Sequence, residues 1–493
     1  MEGVFLRVVM FFPKVENSYR TSQAPLGILS IATYLNANGH NAVICDRFFS
    51  KDSVEKLIKD NKADIIGVSV MSHQFIKDAI EISKEAKKAG VPVVWGGSLT
   101  TPAFEVVLAS DYVDYVSLNE GEETWLEMAN TFDKGEGFEN VDGLAYKKDG
   151  EIIRTADRDF VDLAKLPDID WSLVDVKNYF QKSYGYEKQL VTYLSKGCTG
   201  RCTYCYNPIF NRSTRRARPL EQVIDEMCHL VREYGAEGFD FSDDTMFNTR
   251  DDVVAFCNAI LEREEKFCWS GYLSFGVVND PEGYELMYKA GCRSMIYGVE
   301  SGSPRVLKSV RKRNRLDNVL SNVELCVKAG IVPILMFIIG FPGETLEDIR
   351  DTVELVKKVK GGAVVFNYYT PLPGTLVYNQ LIEEGKLTPP KTLEEMSQTN
   401  AFEGLFDNYS AVPTKDLVII KKFMRLRGML TPVGDTKSEQ MSMIIKSTLQ
   451  SWSGRGFSQF VSTAVKAVVN VLSTFTIFLH PKIRKKYGLY LNK

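Results

Sequence analysis

A chain of 493 residues is longer than one hydrophobic core organises and calls for two or three domains. Its composition, 44% hydrophobic and 25% charged with a net charge of -3, is that of a soluble globular protein and gives no argument for nucleic acid as the main partner. Of nine cysteines, six (Cys45, Cys228, Cys257, Cys268, Cys292, Cys326) are scattered singly, which is not the pattern of a disulfide framework and points to a reducing cytoplasm. Four histidines speak against a histidine-rich metal site.

The opening "MEGVFLRVVMFFPKVENSYR" has a short apolar run without a basic segment before it, so it reads as a buried strand and not as a signal peptide. Through residue 135, short apolar runs such as "ADIIGVSVMS" and "VPVVWGG" alternate with helical periods, which predicts an α/β domain with a parallel sheet covered on both faces. Ligands of such sheets lie at the carboxyl ends of the strands. The loops there are "PKVENSYRTSQAPLG", "SVMSHQF", "GGSLTTP" and "NEGEE". Residues 136–185 read as a linker with a hairpin turning at Asp149-Gly150. From 186 to 380, six further strand–helix units predict an open, partial (βα)6 barrel with its chemistry at the carboxyl rim. Residues 381–493 carry no strand series and read as a mostly helical C-terminal region.

"GCTGRCTYCYNP" places Cys198, Cys202 and Cys205 just after the first barrel strand. Structural zinc wants four ligands, usually in two close pairs, and the nearest candidates, Cys228 and His229, adjoin each other on a predicted helix. A redox dithiol uses two thiols, not three. The remaining reading is an iron–sulfur cluster, in which three thiolates on four irons leave one iron open to a small molecule.

This stretch resembles the cluster signature of the radical S-adenosylmethionine (SAM) enzymes, with Tyr204 before the last cysteine. The resemblance implies a [4Fe-4S] cluster on Cys198, Cys202 and Cys205 whose open iron chelates SAM and cleaves it to methionine and a 5'-deoxyadenosyl radical. Further motifs follow in order along the chain. "DFSDDTM" places Asp243 and Asp244 where the family binds the SAM ammonium; "YGVESGS" places Glu300 and Ser301 toward the cofactor; "IIGFPGET" places Gly340, Pro342 and Glu344 near the adenine; "TPLPGT" closes the barrel. Singly, each is an ordinary turn or acidic pair; their joint order carries the resemblance. One departure is "YLSFGVVND", where Ser274 and Phe275 stand near a position at which relatives often carry arginine.

The N-terminal part resembles the cobalamin-binding domain that precedes the barrel in one subgroup of the family, on "APLGILSIATYLNANGH", "DIIGVSVMS", "VVWGGSLTTP" and "LNEGEETW". A dinucleotide is disfavoured, since no Gly-x-Gly-x-x-Gly follows the first strand. The resemblance implies cofactor contacts from Ser69, Met71, Ser72 and His73, from Gly96, Gly97, Ser98 and Thr100, and from Glu120 and Gly121. Gly96 and Gly97 would admit close approach of a bulky ligand. The first loop lacks the Asp-x-His-x-x-Gly of methionine synthase-type domains. That implies dimethylbenzimidazole held off the cobalt and no histidine ligand from that loop, leaving His73 either as the lower ligand or as an exposed helix-start residue.

Together the two resemblances cover about residues 3–380 and imply an enzyme that methylates an unactivated carbon, served by an external donor such as flavodoxin or ferredoxin. Relatives that cyclise, contract rings or rearrange keep a second reaction class open, and a non-catalytic cofactor-binding sensor is the third. The stretch Phe457–Gly488, apolar with a basic end, reads either as a helix packed on the barrel or as an interfacial helix suited to peripheral membrane contact and a lipid-like substrate.

Overall fold

The computed structural model describes residues 5–15, 23–183, 186–398 and 407–430. The chain divides into two compact units, Met1–Asp244 with Pro371–Ala401, and Thr245–Thr370 with Phe402–Lys493.

The first unit opens with alternating β1 (Arg7–Phe12), α1 (Leu26–Ala37), β2 (Asn41–Asp46), α2 (Val54–Asp60), β3 (Ile65–Ser69), α3 (Ile76–Lys88), β4 (Val93–Gly96), α4 (Phe104–Leu108), β5 (Tyr115–Ser117) and α5 (Glu122–Asp133). The five strands are parallel in the order β2-β1-β3-β4-β5. Strands covered on both faces must be apolar on both, and in β1 every residue from Val8 to Phe12 is buried. The connection order reverses between β1 and β3, where sheets of this type open a ligand crevice. β6 (Leu144–Lys148) and β7 (Glu151–Arg154) form the expected hairpin, with Asp149 and Gly150 at φ 53° and 84°, as its tight turn requires. The hairpin pairs antiparallel with β5, so this part of the expected linker is an edge of the N-terminal sheet.

β8 (Gln181–Ser183) pairs antiparallel with β9 (Tyr186–Thr192). β10 (Ser195–Gly197), α6 (Asn207–Phe210) and β11 (Arg215–Ala217) frame the cysteines, and β10 and β11 form a short antiparallel ribbon. α7 (Leu220–Tyr234) then leads to β12 (Gly238–Phe241), parallel to β9.

The second unit holds α8 (Arg250–Leu261), β13 (Cys268–Tyr272), α9 (Pro281–Lys289), β14 (Cys292–Glu300), α10 (Pro304–Ser309), α11 (Leu316–Lys328), β15 (Val332–Ile339), α12 (Leu346–Lys358) and β16 (Ala363–Tyr368). Its four strands are parallel in sequence order. Helices α8 and α12 start on capping boxes, Thr249 with Asp252 and Thr345 with Asp348. β9 and β12 in the first unit and β13 to β16 in the second, parallel within each unit and each with a following helix, match the expected count of six. α13 (Leu376–Glu383) and α14 (Leu393–Ser397) return to the first unit, where Leu393 and Met396 enter the core of the N-terminal sheet. α15 (Thr414–Leu430) packs on β16.

Phe457–Gly488 and residues 16–22 of the first loop lie outside the described residues. Among the described residues, no helix is long and apolar enough to cross a membrane.

Candidate functional site

The cysteine loop is set by its neighbours. Gly197 has φ 85°, and a Cβ there would stand 2.1 Å from the Thr214 carbonyl oxygen, so only glycine fits. Cys198 and Cys202 converge on Gly200, whose Cβ position would be 3.3 and 3.9 Å from their two sulfurs. Backbone N–H groups of Gly200 and Asn207 donate to Sγ of Cys198 (3.3 Å) and of Cys205 (3.4 Å). Buried Asn207 clamps the loop: its Oδ1 accepts from the Cys198 N–H at 2.9 Å and its Nδ2 donates to the Cys198 carbonyl at 2.6 Å. Burial pushes the Cys205 thiol up to about 12, with Asp244, Cys202 and Cys198 adding to the shift and the Asn207 N–H opposing it. Among the described residues, no three His, Cys, Asp or Glu side chains gather as ligands of one ion. A cluster asks for something else, since each of its thiolates sits on a separate iron.

The two aspartates after β12 have different partners. Asp243 is buried and accepts from the backbone N–H of Leu194 (3.0 Å), the N–H of Ser195 (2.6 Å) and the Ser195 hydroxyl (2.5 Å). Burial raises it to about 6, against the pull of those bonds. It fastens the start of β10 through three donors, one more than Asp244 has, so it has less acceptor capacity to spare for a ligand. Asp244 accepts from the Tyr206 hydroxyl at 2.6 Å and the Asn211 amide at 3.4 Å, and burial raises its pKa.

A cavity of about 310 Å³ opens at the carboxyl ends of β1, β3, β4 and β5 and reaches Gly197 and Tyr206, which flank the cysteine loop. Ser69, Met71, Gly96, Gly97, Ser98, Glu120, Gly121, Asp243 and Asp244 line it, as do Lys196, Tyr206 and Asn211. Its sheet end is walled by Met10, Gly67, Val68, Val94 and Trp125, and by Ser117, whose buried hydroxyl has no hydrogen-bond partner. Three expected contacts do not line it. Thr100 is buried and donates its hydroxyl to the Gly97 carbonyl at 2.9 Å. Ser72 precedes the short turn His73–Phe75, which packs against α14. His73 is buried in that turn, neither exposed nor at the cavity, and burial lowers it to about 4. The reading of Gly97 also changes: at φ 120°, its Cβ would stand 2.6 Å from the Val70 carbonyl oxygen, so the close approach it permits is between two loops of the chain. Gly96 has room, its nearest neighbour being Ser117 Cβ at 3.7 Å.

In the second unit, Glu300 has φ 70° and is paired with Lys312 at 3.2 Å. The Ser301 hydroxyl bonds Thr352 (3.2 Å) and accepts from the Ser303 N–H (3.1 Å), so it is engaged within the chain. The Gly340 N–H donates to Glu344 Oε2 at 2.6 Å, while buried Glu344 Oε1 has no partner and burial raises the carboxyl to about 8. Pro342 is half-buried in the same turn. At the departing strand end, half-buried Phe275 stacks on buried Tyr297 with centroids 4.6 Å apart.

Residues 16–129 match the B12 binding domain model and residues 192–356 the Radical SAM superfamily model. The chain carries the domain pair of the cobalamin-dependent radical SAM enzymes, a B12 binding domain and a Radical SAM domain. The uncharacterized methyltransferase PH0819 of Pyrococcus horikoshii is 26% identical over 78% of this chain and 84% of its own length. The anaerobic magnesium-protoporphyrin IX monomethyl ester cyclase of Rubrivivax gelatinosus is 25% identical over 72% of this chain and 66% of its own length. The structure of the radical SAM methyltransferase TsrM from Kitasatospora setae, with tryptophan and a SAM analogue bound, aligns with a TM-score of 0.64 and 20% identity over 78% of each chain. These likenesses give the fold of this radical SAM enzyme as a Rossmann-like cobalamin-binding domain followed by a partial barrel.

The residues present fit the cofactors of such an enzyme. The apolar end of the cavity, with the partnerless Ser117 hydroxyl, suits a flat heterocycle with one polar edge, such as the nucleotide base of cobalamin. Three thiols, two of them accepting backbone N–H···S bonds, suit an iron–sulfur cluster. Sequence reading passed over Asn207, Tyr206, Asn211, Gly67 and Ser117. Asn207-Pro208, one residue beyond the last cysteine, is a helix-start signal that could have marked the clamp. Nothing local marks Ser117 or Gly67, because their neighbours come from other strands.

Proposed function

We propose that this enzyme methylates an unactivated carbon of a small-molecule substrate. The observation that carries the reading is one cavity bordered by the carboxyl edge of the N-terminal sheet, through Ser69 and Gly96, and by the cysteine-loop neighbours Tyr206 and Asp244. We assign residues 1–135 to cobalamin, 186–380 to the barrel, and Cys198, Cys202 and Cys205 to three irons of a [4Fe-4S] cluster. When bound, SAM on the cluster supplies a 5'-deoxyadenosyl radical that takes hydrogen from substrate, and cobalamin supplies the methyl group. The chain binds and orients. Asp244, held by Tyr206 and Asn211, accepts from the SAM ammonium. Gly340, Pro342 and Glu300, at strand ends of the second unit, are the further residues proposed for SAM, and the Ser301 hydroxyl is engaged with Thr352. Ser69, Gly96, Ser98 and Gly121, which line the cavity, would hold the cobalamin, together with Met71, about half exposed there; His73 does not line the cavity. An external donor, flavodoxin or ferredoxin, supplies electrons. All nine cysteines are free, which supports the cytoplasm.

The test is anaerobic reconstitution with iron, sulfide and cobalamin. Reduced protein should form 5'-deoxyadenosine, and variants with Ala at Cys198, Cys202 or Cys205 should lose iron and SAM cleavage together. With substrate, the S-methyl label should enter product, with equal amounts of S-adenosylhomocysteine and 5'-deoxyadenosine. Full iron in the triple Ala variant would overturn the assignment. The cyclase relative favours a second reading, which 5'-deoxyadenosine without S-adenosylhomocysteine or methylated product would select.

A further inference from the structure

Two residues before Cys198, the ribbon carries a pair of cations, of which Lys196 lines the cavity. Lys196 on β10 and Arg216 on β11 are direct register partners. Lys196 Nζ lies 2.7 Å from Glu122 Oε1 and 3.4 Å from Glu120 Oε1. The Arg216 guanidinium grips both oxygens of Glu120, at 2.9 and 2.7 Å, and lies over the Phe160 ring at 4.1 Å. Glu122 also accepts from the Ser30 hydroxyl of α1 at 2.7 Å. Glu120 and Glu122 flank Gly121, where α5 begins at the edge of the N-terminal sheet.

The placement of this cluster is specific. The carboxylates are almost fully buried, with side-chain exposures of 8% for Glu120 and 3% for Glu122, so each needs its cation. Lys196 has little freedom on its own strand. Ser195 is held by Asp243 on one side, and Gly197 is wedged against Thr214 on the other. The backbone that delivers Cys198 is therefore anchored at one point to β12 and at a second to the β5–α5 loop. A tie through two buried ion pairs, one of them bidentate, fixes direction as well as distance.

We propose that Lys196 is a positioning residue: by binding Glu122 and Glu120, it sets the placement of the cluster-bearing loop relative to the cobalamin-bearing loop. This rests on the cofactor assignment above. Lys196 touches neither reacting atoms nor metal; it acts through the loops it joins. Its loss would leave each cofactor site able to load while letting the spacing between them relax.

The experiment uses the full chain, reconstituted with cluster and cobalamin and reduced so that both centres are paramagnetic. Pulsed dipolar spectroscopy reads the distribution of distances between them. Lys196→Met should keep its iron and cobalamin while the distribution shifts and broadens, and Lys196→Arg should return it toward wild type. A residue that only stabilises the fold would lower the unfolding midpoint and leave that distribution unchanged in the folded molecules. If Lys196→Met does not fold, Glu122→Gln is read in its place, with a smaller shift in the same sense. Wild-type distributions in loaded Lys196→Met, or in loaded Glu122→Gln where that is read, overturn the proposal and leave the cofactor assignment standing. A wild-type protein that loads neither centre overturns both.

Discussion

The acids at the strand ends differ between the two units. After β12, Asp243 is gripped by Leu194 and Ser195, and Asp244 by Tyr206 and Asn211, so both carboxylates tie strand β12 to the cysteine loop. After β15, Glu344 accepts from Gly340 four residues earlier, whereas Asp348 accepts from its own helix cap, Thr345, and from Ser303 and Arg305 of the β14 side. Burial acts on all four, and the donors decide the outcome. Asp348, beside a guanidinium and two hydroxyls, is held well below the usual carboxylate range, while Glu344, with one oxygen partnerless, is raised to about 8. An acidic motif residue is thus a ligand candidate only where its own chain leaves it capacity, and Asp244 meets that condition better than Asp243 or Asp348.

The sharpest way to break this contrast is to neutralise the neighbours Asp243 and Asp244 separately. Asp243→Asn turns an amide NH2 toward donors that need an acceptor and should cost about 3 kcal/mol in denaturant unfolding. Asp244→Asn should change stability by under about 1 kcal/mol. It should instead weaken SAM roughly 10- to 100-fold in equilibrium binding, the worth of one charge-assisted hydrogen bond. The reverse pattern would exchange the two roles.

A smaller effect separates Glu344 from Asp348. A carboxyl whose folded pKa lies above its unfolded value contributes stability that is full below the unfolded value and is lost as pH rises through the folded one. For Glu344, that window runs from 4.5 to about 8. Glu344→Gln keeps an acceptor for Gly340 and cannot ionise. Its melting temperature should lack the decline across this window, and above it the variant should be the more stable by on the order of 1–2 kcal/mol. Parallel melting curves for wild type and variant would refute the shift.

The smallest expected effect is at His73, buried off the cavity. The Co(II) electron paramagnetic resonance signal should be the same in wild type and His73→Ala, without nitrogen superhyperfine splitting in either. Splitting that vanishes with the histidine would make His73 the ligand after all.

The order of the chemistry was legible in the sequence because its signals are local. Apolar runs fix buried strands, Asp149-Gly150 fixes a hairpin, and the spacing of Cys198, Cys202 and Cys205 disfavours a zinc pair site and carries the resemblance to the cluster signature. Which side chains keep capacity for a ligand is a different kind of fact. Asp243 and Asp244 are chemically alike and adjacent, yet one faces the backbone of Leu194 and Ser195 and the other Tyr206, and only folding places those donors. Gly97 reads as room for a ligand until Val70 is seen against it, and His73 reads as either a lower ligand or an exposed residue until α14 covers its turn. The tie between Lys196 and Glu122 spans 74 positions, with no periodicity to announce it. Short-range pattern determined the elements and the cofactor class; long-range packing, by deciding which buried polar group meets which partner, determined the site.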